Sequence, residues 1–539
     1  MAKRFHTVFA FIMAMALTVG VLTVSAGCTP GKTGKQAGGT ANQSGKPGSS
    51  KKPTDEKKPV TLTYFWDMDG KATMSMKSYA EIACLKEAEE KTGVHIDWLH
   101  PPGGKAGEQF QSMLSSQNLP DMMYWNWRHV SGGPAKALED STILALNDII
   151  DKHAPNFKAV LAEHPEWKKE VSLDDGSVYM FPFIRGDEFL RVTGGFAMRK
   201  DWLDKLGLNV PQTIDDWYNV LSAFKKNDMN NDGNSEDELP YVCDSLGGVQ
   251  NFSSAWGLRR GAYLSGVELK YGFLQPEYRD FLTTMAKWYA EGLIDDSGDK
   301  EAKMTGSLGG SYYGTILGNF GRFTQLARES QPDFTLVGVP YPKGPAGISY
   351  SPLEPAVQDS GTAITPNCKH VKEAAEYLDY GYGKDGHMAF NFGKEGESYT
   401  MKDGEPIYMD TILHNPKLPV ANALIRYALS ISSGSFVQDV RYMKQNCVFP
   451  EQEEALHAWI DGSDPSLQLP PSNFTTAESE KFNELIPDIN SYADDMITKF
   501  IKGEESLDNF DQFVGQIKKL HIDEVIKLQQ AALDRYNAR

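Results

Sequence analysis

The chain has 539 residues and a formal net charge of −18. That charge excludes nucleic acid as a partner, because phosphate binding needs a basic face. Aromatic residues make up 11%, and the roughly 480 residues after the N-terminal leader suffice for two or more lobes with full-size cores.

In chain order, the first element is a secretory signal peptide over residues 1–27. Lys3 and Arg4 form a positive start, an apolar run covers Val8 to Val24, and small residues lead to Cys28. The segment Val24-Ser25-Ala26-Gly27-Cys28 resembles a bacterial lipoprotein cleavage site, with Ser25 where that pattern has Leu. It implies lipidation, such as palmitate, of Cys28. The alternative is an ordinary signal peptide cut near Ala26. Residues 28–58 are mostly Gly, Ser, Thr, Pro, Gln and Lys, without an aromatic or large aliphatic residue, and predict a disordered tether. A coil of about 30 such residues spans roughly 30 Å r.m.s..

Val60 to Trp66 reads as a buried strand. A helix is predicted over Ser78–Thr92, with Ile82, Leu85 and Ala88 on one face and Gly93 as its stop. Val94–Leu99 is a second strand, Gly107–Gln117 a helix, and Leu119–Trp125 a third strand. Strand, helix, strand, helix, strand predicts a parallel sheet with right-handed crossovers. Ligands sit beyond the carboxyl ends of such strands. Trp66, Trp125 and Trp127 are expected there, offering flat faces to sugar rings. Core packing is the competing account of each tryptophan.

Thr213 and Asp216 make a capping box. The helix behind it carries Ile214, Trp217, Tyr218, Leu221 and Phe224 as core. It runs into Asp228-Met229-Asn230-Asn231-Asp232-Gly233-Asn234, the first half of a calcium loop. Position 12 is Leu239 and Pro240 follows, so the second half departs from an EF-hand. The plain alternative is a polar surface turn. Further on, Ile497, Phe500 and Ile501 precede Gly503. Phe510, Phe513, Val514, Ile517 and Leu520 form a second apolar helical face.

Several motifs are absent. The chain has no G-x-S-x-G, no H-E-x-x-H, no phosphate loop and no Rossmann glycine pattern. Apart from Cys28, the cysteines are Cys84, Cys243, Cys368 and Cys447, scattered without C-x-x-C. That excludes a disulfide framework and leaves one or two disulfides open. No second apolar run reaches about 18 residues.

Six segments carry a wider resemblance. They are Thr92–Ile96, Asn118–Asp121, Leu146–Asn156, Gly195–Leu208 (with Arg199-Lys200-Asp201-Trp202-Leu203), Phe392–Thr400 and Gln529–Tyr536. In this order they resemble bacterial extracellular solute-binding proteins of family 1. These are lipoproteins of oligosaccharide ABC importers, near the Gram-positive lipoproteins and alginate-binding proteins.

The resemblance implies an α/β, two-lobed periplasmic-binding-protein fold of the second type, with an interlobe hinge and a helical C-terminal region. The expected parts are 59–185 in the N-lobe, 186–345 in the C-lobe, 346–450 returning to the N-lobe, and 451–539 packing on the C-lobe. The crossings are placed near Phe181–Phe189 and Val339–Thr365.

The implied function is non-catalytic capture of an oligosaccharide, neutral or uronide, and its delivery to an ABC permease by a lipid-anchored monomer outside the cell membrane. A secreted carbohydrate-active enzyme and a peptide receptor of the same fold are the alternatives. In this family a loop ending like Asp237-Glu238-Leu239-Pro240 binds calcium. The ligand set expected by analogy is Asp228, Asn230, Asp232, Asn234, Asp237 and Glu238, with the choice between Glu236 and Asp237 open. From the second lobe, Trp256, Arg259, Tyr312, Tyr313 and Arg322 are expected to face the sugar.

Overall fold

A computed structural model describes residues 60–461 and 468–539, apart from Thr193, Ala346, Ile348 and Pro352. The signal peptide, Cys28 and the tether lie outside the described residues.

The alternating pattern after Pro59 forms β1 (Val60–Phe65), which pairs in parallel with β2 (Val94–Leu99) and with β3 (Met122–Asn126). Asp121 fastens this arrangement. Its Oδ2 accepts from Thr63 N and Thr63 Oγ1, both at 2.7 Å, and its own N–H donates to Thr63 Oγ1 at 2.9 Å. The Leu-Pro-Asp motif thus marks where β3 locks onto β1.

The helix expected from Ser78 begins later, at Ala83. Ser78 and Glu81 close a capping box on a short 3-10 turn, and Ile82 is extended. The reason is tertiary: the N–H groups of Ala83 and Cys84 donate to the carbonyls of Arg426 and Tyr427 at 3.0 Å. Ile82, Leu85 and Ala88 are buried as the periodicity required.

β4 (Phe181–Ile184) joins this first sheet and β5 (Gly195–Arg199) starts a second. β5 is flanked antiparallel by β6 (Ser311–Gly314) and β7 (Leu336–Val339). β8 (Val357–Ile364) and β9 (Phe436–Val437) return to the first sheet, whose order is β9-β4-β8-β3-β1-β2. Each sheet has its own core, and the fold is two-lobed α/β. A smaller core lies under the hairpin formed by Tyr399–Lys402 and Glu405–Tyr408.

The chain passes between the sheets after Ile184, after Val339 and after Val437, the last passage leading to helix Pro450–Ile460 on β7. The first two passages run side by side. Arg185 N–H donates to Ala356 O (2.8 Å), Glu354 N–H to Arg191 O (2.9 Å), and Arg191 Nε to Glu354 O (2.6 Å).

In the second lobe, the Arg-Lys-Asp-Trp motif is structural. Arg199 is 4% exposed, pairs with Asp201 (2.9 and 2.6 Å), and lies between the rings of Trp202 and Phe334. The Thr213–Asp216 capping box is present, and Ile214, Trp217, Leu221 and Phe224 are buried behind it. Helix Thr476–Lys502 ends on Gly503 in the left-handed region (φ 72°), and Phe500, Phe510, Phe513 and Ile517 enter the second core. Cys84, Cys243, Cys368 and Cys447 are all free, so none of the open disulfides forms. Among the described residues no helix is long and apolar enough to cross a membrane.

Candidate functional site

A cavity of about 290 Å³ opens at the carboxyl ends of β1 and β3, where parallel sheets place ligands. Trp66, Tyr124 and Trp125 form its aromatic wall, and Asp67, Asn126 and Ser432 supply polar groups. The two expected tryptophans differ. Trp66 is 4% exposed, and Tyr124 stacks on its ring at 4.5 Å and 21°. Trp125 is partly exposed and rests one face on Phe110 at 4.1 Å and 7°. Burial pushes the Tyr124 hydroxyl up to about 12, against hydrogen bonding from Ser433, so it stays a neutral donor and acceptor. Trp127 is placed elsewhere. It is 0% exposed and its Nε1 donates to Gly361 O at 3.1 Å, which makes it a core residue of the first lobe.

A second cavity, of about 480 Å³, is lined by Gln250, Asn251, Arg259, Arg260, Tyr341 and Tyr350, among others. The Arg259 guanidinium lies over Tyr350 at 5.7 Å and makes no ion pair among the described residues. Arg260 is committed to Asp494 at 2.5 Å. Tyr313 stands behind this wall, its hydroxyl 3.0 Å from that of Tyr341. Glu354 on the second passage pairs with Arg185 at 3.3 Å. Burial raises its carboxyl above the usual range, against the pull of Arg185 and Arg259.

Three expected residues of this lobe lie away from that cavity wall. Tyr312 is 0% exposed against Phe323, because alternate residues of β6 face opposite sides and Tyr313 takes the outer one. Trp256 packs edge-on against Phe281 at 5.6 Å. Arg322 is exposed and bound to Glu301 at 2.6 and 2.8 Å.

A third cavity, about 300 Å³, joins first-lobe residues Arg128 and His129 and the returning Asp359 to Asn473, Phe474 and Phe482. Arg128 (3.3 Å) and His129 (3.3 Å) both face Asp359. Burial works to raise that carboxyl, and the hydrogen bond with His129 and the charge of Arg128 outweigh it and hold it low.

Tyr124, Asn126, Asp67 and the serines were missed from sequence. The signal for Tyr124 and Asn126 was their place beside Trp125 at a strand end. For Ser360, Ser432 and Ser433 there was none, since they reach the cavity through tertiary structure.

The loop after helix Ile214–Lys225 is closed by its own Asp and Asn side chains. Asp228 accepts from Asn231 N (2.6 Å) and Gly233 N (2.9 Å), Asn230 from Asp232 N (2.9 Å), and Asp232 from Asn234 N (2.8 Å). Gly233 sits at φ 91°, which a side chain rarely adopts. Glu238 is 0% exposed. One of its oxygens accepts from Met229 N at 2.6 Å, while buried Oε2 and buried Asp237 Oδ1 have no hydrogen-bond partner. Buried carboxylate oxygens without a donor are costly, and a hard divalent cation satisfies such oxygens. Glu236, by contrast, is exposed. Among the described residues no three His, Cys, Asp or Glu side chains converge, so an ion here would have to draw on Asn and backbone oxygens as well.

Comparison with known proteins bears on the whole chain. Residues 73–388 match the family model for bacterial extracellular solute-binding protein. The chain is 26% identical to the fructooligosaccharide ABC transporter substrate-binding protein FusA of Streptococcus pneumoniae serotype 4, over 90% of this chain and 92% of FusA. It is 26% identical to lipoprotein LipO of Bacillus subtilis, over 82% of this chain and 87% of LipO. Among solved structures, alginate-binding protein AlgQ2 without calcium ion superposes with a TM-score of 0.73 at 26% identity, covering 89% of this chain and 98% of AlgQ2. FusA with kestose gives 0.72 at 22% identity, covering 89% and 99%, and FusA has also been solved as an EF-hand mutant. With more than half of its length matching the family model, and two sheets joined by paired passages as two-lobed binders require, this chain belongs to the bacterial extracellular solute-binding proteins.

Proposed function

We propose that this protein captures an oligosaccharide outside the cell and hands it, unaltered, to the transmembrane subunits of an ABC permease. The observation that carries this reading is the cavity at the ends of β1 and β3. It combines Trp125 and Tyr124 with hydroxyl, amide and carboxylate groups, the mixture that grips both the apolar face and the hydroxyl rim of a sugar. The relatives support the same class, since FusA is named for fructooligosaccharide and AlgQ2 for alginate. Lobe boundaries at 185/186, 345/346 and 450/451 act as the hinge. A ligand that touches both lobes selects the closed form. From the second lobe, Arg259 and Tyr341 of the second cavity meet the sugar, and Tyr313 acts behind them through its hydrogen bond to Tyr341. The protein acts as a monomer.

Thermal-shift screening against neutral and acidic oligosaccharides tests this reading, because a ligand that binds only the folded state raises the melting temperature by mass action. A stoichiometric complex without product is the expected result. Turnover of the glycan decides for an enzyme, and shifts with peptides alone decide for a peptide receptor.

Two further parts belong to the same proposal. The Asp228–Glu238 loop holds a structural calcium, with Asp237 rather than Glu236 completing the set because Asp237 Oδ1 is buried without a donor and Glu236 is exposed; the relative FusA, studied as an EF-hand mutant, supports a loop of this kind. Cys28 is lipidated and anchors the chain to the outer face of the membrane, as the lipoprotein relative suggests. Cys28→Ala is expected to shift the protein from the membrane fraction to the medium. Full membrane retention of that variant would sink the anchor.

A further inference from the structure

We infer that the first-lobe cavity takes a neutral sugar ring and turns away a uronate, and that Asp67 enforces this choice. The inference rests on the oligosaccharide reading and narrows it to a substrate class.

The lining of this cavity includes two carboxylates, Asp67 and Asp69, and no Lys, Arg or His. Asp69 is already occupied. It accepts from Lys71 N at 2.7 Å, pairs with Lys71 Nζ at 3.2 Å, and accepts from Ser432 Oγ at 3.1 Å. Asp67 is exposed at the rim, and its carboxylate has no hydrogen bond or ion pair among the described residues. The imidazole behind the aromatic wall does not offset this charge. His100 Nδ1 donates to Trp66 O at 2.8 Å, while Nε2 accepts from Tyr79 N–H at 3.1 Å. A second ring proton would point at that N–H, so the hydrogen bonds hold the ring neutral. Burial lowers its pKa in the same sense, outweighing the opposing pull of the Trp66 carbonyl and of Asp67. Lys71 is taken up by Asp69, and Arg185, whose charge reaches the Tyr124 hydroxyl, is paired with Glu354 at 3.3 Å.

Donor and acceptor counting leads the same way. Asn126 Oδ1 is buried without a partner, and the Asp67 carboxylate only accepts. A ligand donor satisfies the first and replaces water at the second. Sugar hydroxyls supply such donors, and a vicinal pair can bridge the two oxygens of Asp67. A uronate carboxylate supplies none and sets a like charge against Asp67, an arrangement that interfaces use to exclude wrong partners. The unpaired Arg259 guanidinium belongs to the second cavity, so this exclusion concerns the first-lobe ring alone.

The test is isothermal titration of the full chain with a panel of neutral tri- and tetrasaccharides, kestose among them, and of all-uronate oligosaccharides such as trigalacturonate. The tightest ligands are expected to be neutral. Asp67→Asn is expected to weaken them about tenfold, the loss of one charge-assisted hydrogen bond, while the melting temperature of the exposed-site variant stays unchanged. The same substitution narrows the gap between neutral and uronate ligands. A uronate that binds the unmodified chain as tightly as any neutral sugar overturns the inference, and so does a neutral ligand indifferent to Asp67→Asn. If no saccharide of either class binds, the oligosaccharide reading itself fails, and this inference with it.

Discussion

Trp127→Ala is expected to cost about 3–5 kcal/mol of folding stability, whereas Trp125→Ala leaves folding nearly intact and costs at least ~2 kcal/mol of sugar binding. The two residues are two apart in sequence, yet they meet different surroundings. Trp127 is 0% exposed, packs edge-on to Phe110 at 5.8 Å, and satisfies its indole N–H on Gly361 O. Truncation leaves a large cavity and an unpaired carbonyl in the first core. Trp125 has one face on Phe110 and lines the cavity with its remaining surface. Denaturant unfolding and titration with a bound saccharide, run on both variants, separate the roles. Equal folding losses in the two, or unchanged affinity in a folded Trp125→Ala protein, would remove Trp125 from the site. Trp66→Ala falls between them, because Tyr124 already covers its ring.

Chelation is the second large perturbation. EDTA is expected to lower the melting temperature of calcium-loaded protein, and calcium to restore it. At a free calcium concentration of 100 times Kd the ion contributes about 2.7 kcal/mol. In the proposed calcium site, the buried oxygens Glu238 Oε2 and Asp237 Oδ1 are the ones the ion would satisfy. Without it, both oxygens stay buried without a donor. Asp228→Ala combined with Asp232→Ala should abolish the calcium response while sparing the second core, because both positions lie on the loop and Asp232 is exposed. A metal-loaded sample whose melting point ignores EDTA would show that the loop is only a turn, or that its ion sits elsewhere.

What could be read before the fold was known follows from local chemistry. β1, β2 and β3 were legible because alternation and β-branched content act within a strand. The Thr213–Asp216 box and the Gly503 stop were legible because caps satisfy backbone groups a few residues away. The loop Asp228–Gly233 was legible for the same reason, since each Asx side chain closes on an N–H two or three residues on. The segment resemblance carried the two-lobed fold, and in Asp121 and Arg199 it turns out to mark residues that lock elements together.

Tertiary structure alone decided the rest. The helix expected at Ser78 starts at Ala83 because carbonyls of Arg426 and Tyr427, more than 300 residues on in the sequence, claim its first N–H groups. Trp125 and Trp127 have equal propensities, and only the position of Phe110 and Gly361 makes one a cavity wall and the other core. Tyr312 and Tyr313 divide in the same way across β6. Asp67 and Ser432 share a cavity although the chain separates them by most of its length. Local sequence determines which backbone groups are satisfied nearby. Which side chains share a cavity depends on how the strands and passages return to one another, and that is a property of the packed whole.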